Sequence, residues 1–275
     1  MEMNGRRAIS GVLLLSALVF CAFAAQSASA APAKNTTAFT CVQGGGFKDF
    51  QDQHCDKKVG PEQGQFGHVP IPINQTTEIT VSNAKTGNET LTATPTVFKF
   101  MAGIKPVEIS CKNVHGIGTM HNIEGVGSGE HKVTGTLTVK AFECTVVKPL
   151  KCTVKNPIEY LTEFEGVEEL GPEKNTHGIE YRPHGEGGGP LLTITIEGPE
   201  CPVKGVYPVE GTMIATGGPN PKEQHSGATH VFTNEMTKET LKVGGKPAEH
   251  SGALTLRMAP ITGVEQPPIA FTTVT

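Results

Sequence analysis

The sequence predicts an all-β protein, built as an antiparallel β-sandwich or barrel and stapled by disulfide bonds. Three observations favour this class. Segments 136–141, 192–196 and 254–258 alternate apolar and polar residues with a period of two, which is typical of strands with one buried face. The chain contains 32 threonines, 33 glycines and 20 prolines, which suit pleated surfaces and turns. No segment carries a sustained helical period.

The first thirty residues have the features of a signal peptide. Two arginines at 6–7 precede an apolar run over residues 8–25, and Ala28-Ser29-Ala30 has the small-x-small form that signal peptidase accepts. We predict cleavage after Ala30 and an extracellular location, free or associated with the cell surface. An uncleaved membrane anchor is the alternative, but the run is near the lower limit for spanning and no basic segment follows it.

The exported part divides into a short leader and a long β region. Residues 31–39 are predicted to be a flexible leader, and residues 40–275 an all-β region. Gly118-Thr119-Met120 recurs as Gly211-Thr212-Met213, which indicates either the same turn chemistry used twice, the interpretation that we favour, or two related β subdomains with a boundary near Pro149. Further strands are predicted at 78–81, 89–100, 107–111, 152–154, 158–164, 206–215, 229–233, 240–243 and 269–274.

Removal of the signal leaves six cysteines, an even number that indicates a disulfide framework in an exported chain. Six cysteines allow fifteen connectivities. We predict pairing in sequential order: Cys41–Cys55, Cys111–Cys144 and Cys152–Cys201. Zinc binding is the alternative use of these residues, but no Cys-x-x-Cys pair occurs.

Composition argues against several classes of function. Without the signal, the chain has 21 basic and 26 acidic residues, a net charge of −5. This balance disfavours a binder of nucleic acid or of anionic membranes, which would present a basic face. Tryptophan is absent and only three tyrosines occur, so a sugar-stacking cleft is not expected. All three aspartates lie in segment 49–56, and no Gly-x-Ser-x-Gly elbow occurs, which disfavours a serine hydrolase.

No metal or cofactor site is predicted. Histidines 115, 121, 131, 177 and 184 have no recognised ligand spacing, and we interpret them as surface residues in turns. The polar cluster Asp49, Asp52, His54 and Asp56 lacks the alternating oxygen ligands of a calcium loop. The glycine runs at 44–46 and 187–189 lack the Lys-Ser/Thr partner of a phosphate loop.

Four segments carry a family resemblance. They are Gly44-Gly45-Gly46-Phe47-Lys48-Asp49-Phe50 with His54-Cys55, the stretch 107–114, Phe142-Glu143-Cys144, and the C-terminal stretch 241–256. Together they resemble a family of uncharacterised secreted β proteins that is expanded in soil actinobacteria. The resemblance implies a bacterial, extracellular β scaffold and no catalytic residues that could be transferred. The loop between Phe47 and Cys55 is longer than the usual form.

Three hypotheses for function follow. The first is a secreted or cell-surface β protein that binds or scaffolds without catalysis and whose partner is an extracellular or cell-wall ligand. The second is an extracellular hydrolase with a glutamate and histidine site on its loops, which a deep pocket that gathers such side chains would support. The third is an envelope or spore component that self-associates through exposed strand edges.

Overall fold

The computed structural model describes residues 37–44, 48–52, 57–83, 85–86, 92–124, 131–167, 178–185, 188–217, 225–226, 229–234, 237, 240–258 and 269–272. Most of them lie in β-strands. The strands are β1 (Thr37–Gln43), β2 (Phe66–Pro70), β3 (Thr77–Asn83), β4 (Lys85–Thr86), β5 (Thr92–Ala93), β6 (Thr96–Ala102), β7 (Lys105–Glu124), β8 (His131–Lys148), β9 (Thr153–Val154), β10 (Ile158–Val167), β11 (Gly178–Pro183), β12 (Leu192–Glu197), β13 (Gly205–Gly211), β14 (Met213–Gly217), β15 (His225–Ser226), β16 (Thr229–Phe232), β17 (Leu241–Val243), β18 (Lys246–Pro247), β19 (Glu249–Met258) and β20 (Ile269–Thr272).

Eight antiparallel strands close into a barrel. Their order around the barrel is β16-β14-β11-β10-β8-β7-β3-β19, and β19 pairs with β16 to complete the circle. The predicted all-β, disulfide-stapled class is therefore confirmed, in its barrel form. Barrel strands lie on both sides of Pro149.

Strands β3 and β6 occupy one position in tandem. Both lie between β7 and β19: β3 pairs with the later parts of these strands and β6 with their earlier parts. Asn83, the last residue of β3, joins the two. Its side chain donates to the Thr94 carbonyl and accepts from the Val114 N–H. The great length of β7 follows from this arrangement, because β7 supports two successive neighbours on one edge.

Side chains fill the barrel interior, as expected for a barrel of eight strands. Alternate residues of each strand point inward, and large apolar side chains such as Leu137, Phe164 and Leu256 are almost fully buried. Gly135 makes room for the aromatic ring opposite it. A Cβ at Gly135 would lie 2.4 Å from the ring of Phe164, its partner in register on β10. The Phe164 ring thus packs over the backbone of Gly135, which has no side chain to cover it.

A five-stranded sheet flanks the barrel, in the order β18-β17-β13-β12-β9. Its strands come from segments inserted between barrel strands. The inward residues Ile194, Ile196 and Leu241 are buried in the same apolar core as the barrel. A disulfide between Cys152 and Cys201 joins the turn before β9 to the loop after β12. A second disulfide joins Cys111 to Cys144, which are direct partners on β7 and β8.

The predicted strand 206–215 is wrong in one respect, because the chain changes sheets within it. β13 ends at Gly211 in the flanking sheet, and β14 begins at Met213 in the barrel. Gly211 has a φ of 94°, and a Cβ there would lie 2.0 Å from the Thr240 carbonyl oxygen. Only glycine tolerates this conformation and close approach, so a single residue redirects the chain.

A four-stranded sheet, β15-β20-β1-β2, brings the two ends of the described chain together. β1 begins at Thr37, three residues inside the predicted leader 31–39. The buried amide of Asn122 ties this sheet to the barrel: its Oδ1 accepts from the Ala38 N–H (2.9 Å), and its Nδ2 donates to the carbonyls of Ala38 (3.0 Å) and Ile71 (2.9 Å). The amide of one side chain thus satisfies backbone groups that would otherwise need a neighbouring strand.

Candidate functional site

A groove lies where β6 and β7 meet the hairpin of β17 and β18. Its volume is about 450 Å³, which is within the range of small-molecule sites. The apolar residues of its wall are Phe100, Met101, Pro106, Val107 and Pro247. The ring of Phe100 lies 5.2 Å from that of Tyr207 on β13, so the groove sits at the junction of the barrel and the flanking sheet.

Five charged residues also line this groove: Lys99, Glu108, Lys148, Lys246 and Glu249. In register, Glu249 faces Lys99, which faces Glu108, which in turn faces Lys148, so charge alternates across four strands. The Lys246 ammonium donates to the Gly103 carbonyl at 2.7 Å and holds the hairpin beside the β6–β7 turn. Apolar walls with three ammonium groups suit a small ligand that has an apolar body and an acidic group.

A second polar group lies on the outer face of the barrel, on β10 and β11. The Glu163 carboxylate accepts from the Gly185 N–H (3.2 Å) and contacts Arg182 Nε (3.4 Å) and His184 Nδ1 (3.0 Å). The Gly185 hydrogen bond is the largest cause that lowers the pKa of Glu163, and the hydrogen bond and charge of Arg182 act in the same direction. This carboxylate therefore stays ionised.

Two further glutamates face each other beside Glu163. Glu165 forms ion pairs with Lys132 (2.7 Å) and Arg182 (3.2 Å), and lies directly opposite Glu180 in register. Burial raises the pKa of Glu180, which is 2% exposed. Two carboxylates whose pKa values are shifted in opposite directions are typical of acid–base pairs. However, a substrate in contact with Glu163 would not reach a side chain buried as deeply as Glu180.

Two buried histidines lie among aromatic rings inside the barrel. The rings of Phe98 and Phe232 lie 4.6 Å and 4.8 Å from that of His250. Neither ring nitrogen of His250 has a hydrogen-bond partner in the described part of the chain. His230 Nδ1 shares a hydrogen bond of 2.6 Å with the Tyr181 hydroxyl. Burial lowers the pKa of each imidazole to about 3, so both are neutral at physiological pH.

The structure joins two of the three cysteine pairs predicted from sequential order, Cys111–Cys144 and Cys152–Cys201. Cys41 is disulfide-bonded and buried in the small cluster around Phe50. Its predicted partner Cys55 lies outside the described residues.

Three of the histidines that the sequence suggested were in turns lie in strands instead, and one of them, His131, begins β8. His115 and His121 lie within strand β7, and His121 Nδ1 is 3.4 Å from the Thr76 hydroxyl. Asp49 and Asp52 accept from the N–H groups of Glu62 and Lys57, and so shape their own loop, while His54 and Asp56 lie outside the described residues. Where the chain is described, no group of three or more His, Cys, Asp or Glu side chains could hold a metal ion.

The described segments also contain no helix long and apolar enough to cross a membrane. Comparison of the chain with models of protein families, with curated proteins and with solved structures finds no match.

The predictions from sequence included neither the contacts around Glu163 nor the facing pair Glu165 and Glu180. Glu163 and Glu165 alternate on one strand, and Glu180 and Arg182 alternate on the next. This spacing places all four on one face, so the signal was present in the sequence. The groove had no such signal, because its lysines come from strands far apart in the chain.

Proposed function

We propose that this protein is an exported β protein that binds a ligand without transforming it. The proposed site is the groove between β6, β7 and the β17–β18 hairpin. The single observation that carries the proposal is the combination, in one groove, of an apolar wall with three lysines against two glutamates. The proposed ligand is a small amphipathic molecule with an acidic group, of extracellular or cell-wall origin. The disulfide bonds are compatible with such a location.

The carboxylates give less support to hydrolysis. A general acid must contact the bond that it protonates, and Glu180 is buried. Glu163 is accessible, but the Gly185 N–H, Arg182 and His184 already contact its oxygens. These contacts suit a carboxylate that stabilises the strand pair β10–β11.

The strand edges give less support to self-association. β18 ends one side of the flanking sheet and carries Pro247, while β2 ends one side of the four-stranded sheet and carries Pro70. Proline has no N–H to donate, so it blocks pairing with a further strand. The strands at the other edges of these two sheets, β9 and β15, are two residues long.

Anilinonaphthalene sulfonate, an apolar anion, is a direct probe of the groove. We expect its fluorescence to rise saturably with the mature protein, and medium-chain fatty acids to displace it. The variant K99A/K246A should raise the dissociation constant about fivefold or more, because two of the three ammonium groups are lost. The matched control is K112A/K155A, which removes two lysines outside the groove lining.

Equal affinities in both variants would contradict the groove assignment. Turnover of an ester, peptide or glycoside substrate that is lost in E163Q would instead support the hydrolase.

A further inference from the structure

Among the described residues, the most exposed large apolar side chains lie in turns at one end of the molecule. Ile104, at the tip of the β6–β7 hairpin, is 89% exposed, and Leu150, in the turn after β8, is 80% exposed. Met101 and Val147 beside them are 38% and 41% exposed. Exposed apolar side chains that cluster in this way mark interaction surfaces.

The strand register places these turns together. Met101 pairs with Pro106, and Glu108 pairs with Lys148, so Leu150 emerges close to Pro106 and the β6–β7 tip. The Lys246 ammonium contacts the Gly103 carbonyl next to Ile104, which brings the β17–β18 turn to the same end. We call this end, comprising residues 101–106, 147–151 and 244–246, the tip surface.

Lysines flank both apolar tips. Lys105 follows Ile104, and Lys148 and Lys151 lie on either side of Leu150. With Lys99 and Lys246, five lysines lie at this end, against Glu108, Glu249 and the Glu200 that pairs with Lys151. The chain as a whole has a net charge of −4, so this end differs in sign from the rest.

We propose that the tip surface docks on an anionic lipid bilayer, with Ile104 and Leu150 in the interfacial region and the lysines among the headgroups. Side chains that protrude from turns fit a fluid surface that closes around them, whereas a protein partner of standard size needs a broad complementary face. A second copy of this chain, docked about a two-fold axis, would place lysines against lysines. The acidic remainder of the chain opposes docking weakly, because salt screens charges beyond about 8 Å.

This inference does not depend on a ligand in the groove. It differs from the expectation, drawn from total charge, that the protein does not bind anionic membranes. Docking of this kind requires no membrane-spanning segment.

The chain contains no tryptophan, so a single introduced tryptophan can report insertion. We expect L150W to show a blue-shifted emission on addition of phosphatidylglycerol vesicles, and little shift with phosphatidylcholine vesicles. The matched control is I117W, because Ile117 is also exposed (67%) but lies in the middle of β7. No shift in L150W, or equal shifts in both variants, would overturn the proposal.

Co-sedimentation with the same vesicles tests both components of docking. I104S/L150S should lower the partition coefficient about tenfold or more, because two apolar side chains no longer enter the interface. K105E/K148E should lower it by a similar factor, and wild-type binding should weaken several-fold between about 50 and about 500 mM salt. The controls are I117S/V206S and K112E/K155E.

Retention of binding in both tip variants would refute the assignment, as would failure of the wild type to sediment with anionic vesicles. Capture of a protein partner through the tip, without vesicle binding, would also refute it. Loss of vesicle binding in I104S/L150S, whose residues do not line the groove, with unchanged affinity for anilinonaphthalene sulfonate would separate this surface from the groove.

Discussion

Protonation of the buried His250 should make the protein less stable in mild acid. The imidazole lies between two phenylalanine rings, and burial lowers its pKa from 6.5 to about 3. The unfolded chain therefore binds more protons than the folded chain between these two values. Stability contributed by the neutral imidazole is full above about pH 6.5 and is lost as the pH falls toward about 3.

The size of the loss follows from the difference in pKa. At about pH 5 the imidazole is protonated in the unfolded chain and neutral in the folded chain. This pH lies about 1.5 units below the pKa of the unfolded imidazole, and each unit corresponds to about 1.36 kcal/mol. His250 should therefore cost about 2 kcal/mol of unfolding free energy between about pH 7 and about pH 5. The lowered pKa values of His230 and Glu163 and the raised pKa of Glu180 also shape the pH dependence of the wild type, but they act equally in a variant of His250.

The assay is urea unfolding of the wild type and of H250L, followed by circular dichroism at both pH values. H250L should lose about 2 kcal/mol less than the wild type on acidification. It should be no less stable at neutral pH, because leucine leaves no unpaired ring nitrogen in the core. A pH dependence that is identical in the two proteins would show that His250 is solvated or paired, and would refute the reasoning.

Three further predictions test the barrel. Asn122→Ala should lower the unfolding free energy by about 3 kcal/mol, because three hydrogen bonds to buried backbone groups are lost; chemical denaturation measures this, and a loss below about 1 kcal/mol would contradict the role. Gly135→Val should destabilise by about 3 kcal/mol or prevent folding, since its Cβ would lie 2.3 Å from the Thr119 carbonyl oxygen and 2.4 Å from the Phe164 ring; a thermal melt measures the loss, and an unchanged melting temperature would contradict this close approach. Glu180→Gln should stabilise the protein at neutral pH while Glu163→Gln destabilises it, because the pKa shifts of the two carboxyls have opposite signs. Changes of the same sign in both would refute this assignment.

The apolar alternation of the sequence predicted strand positions well and strand ends poorly. The segments 136–141, 192–196 and 254–258 all lie inside strands, because alternation is a local property of the chain. The strand 107–111 was predicted far too short, because β7 continues through the glycines at 116 and 118 to Glu124. In the barrel these glycines face inward, where Val139 and Leu137 occupy the space of the missing side chains.

The total charge of the chain does not predict the charge of each part of its surface. The net charge is acidic, yet the tip surface gathers lysines from β7, β8 and β18, which are distant in sequence. Local potential depends on which charges the fold brings within a screening length. A sum over the chain contains no such information.

The sequence by itself determined the all-β class and the inward face of each strand, because both follow from side-chain chemistry along a pleated backbone. It also suggested, from order alone, the two cysteine pairs that the structure joins. Only the tertiary structure decided that β16 meets β19 to close a barrel, that β3 and β6 share one position, and that Asn122 joins the terminal sheet to the barrel. These outcomes depend on pairing between residues far apart in the chain, where several registers satisfy the same alternation and packing selects one.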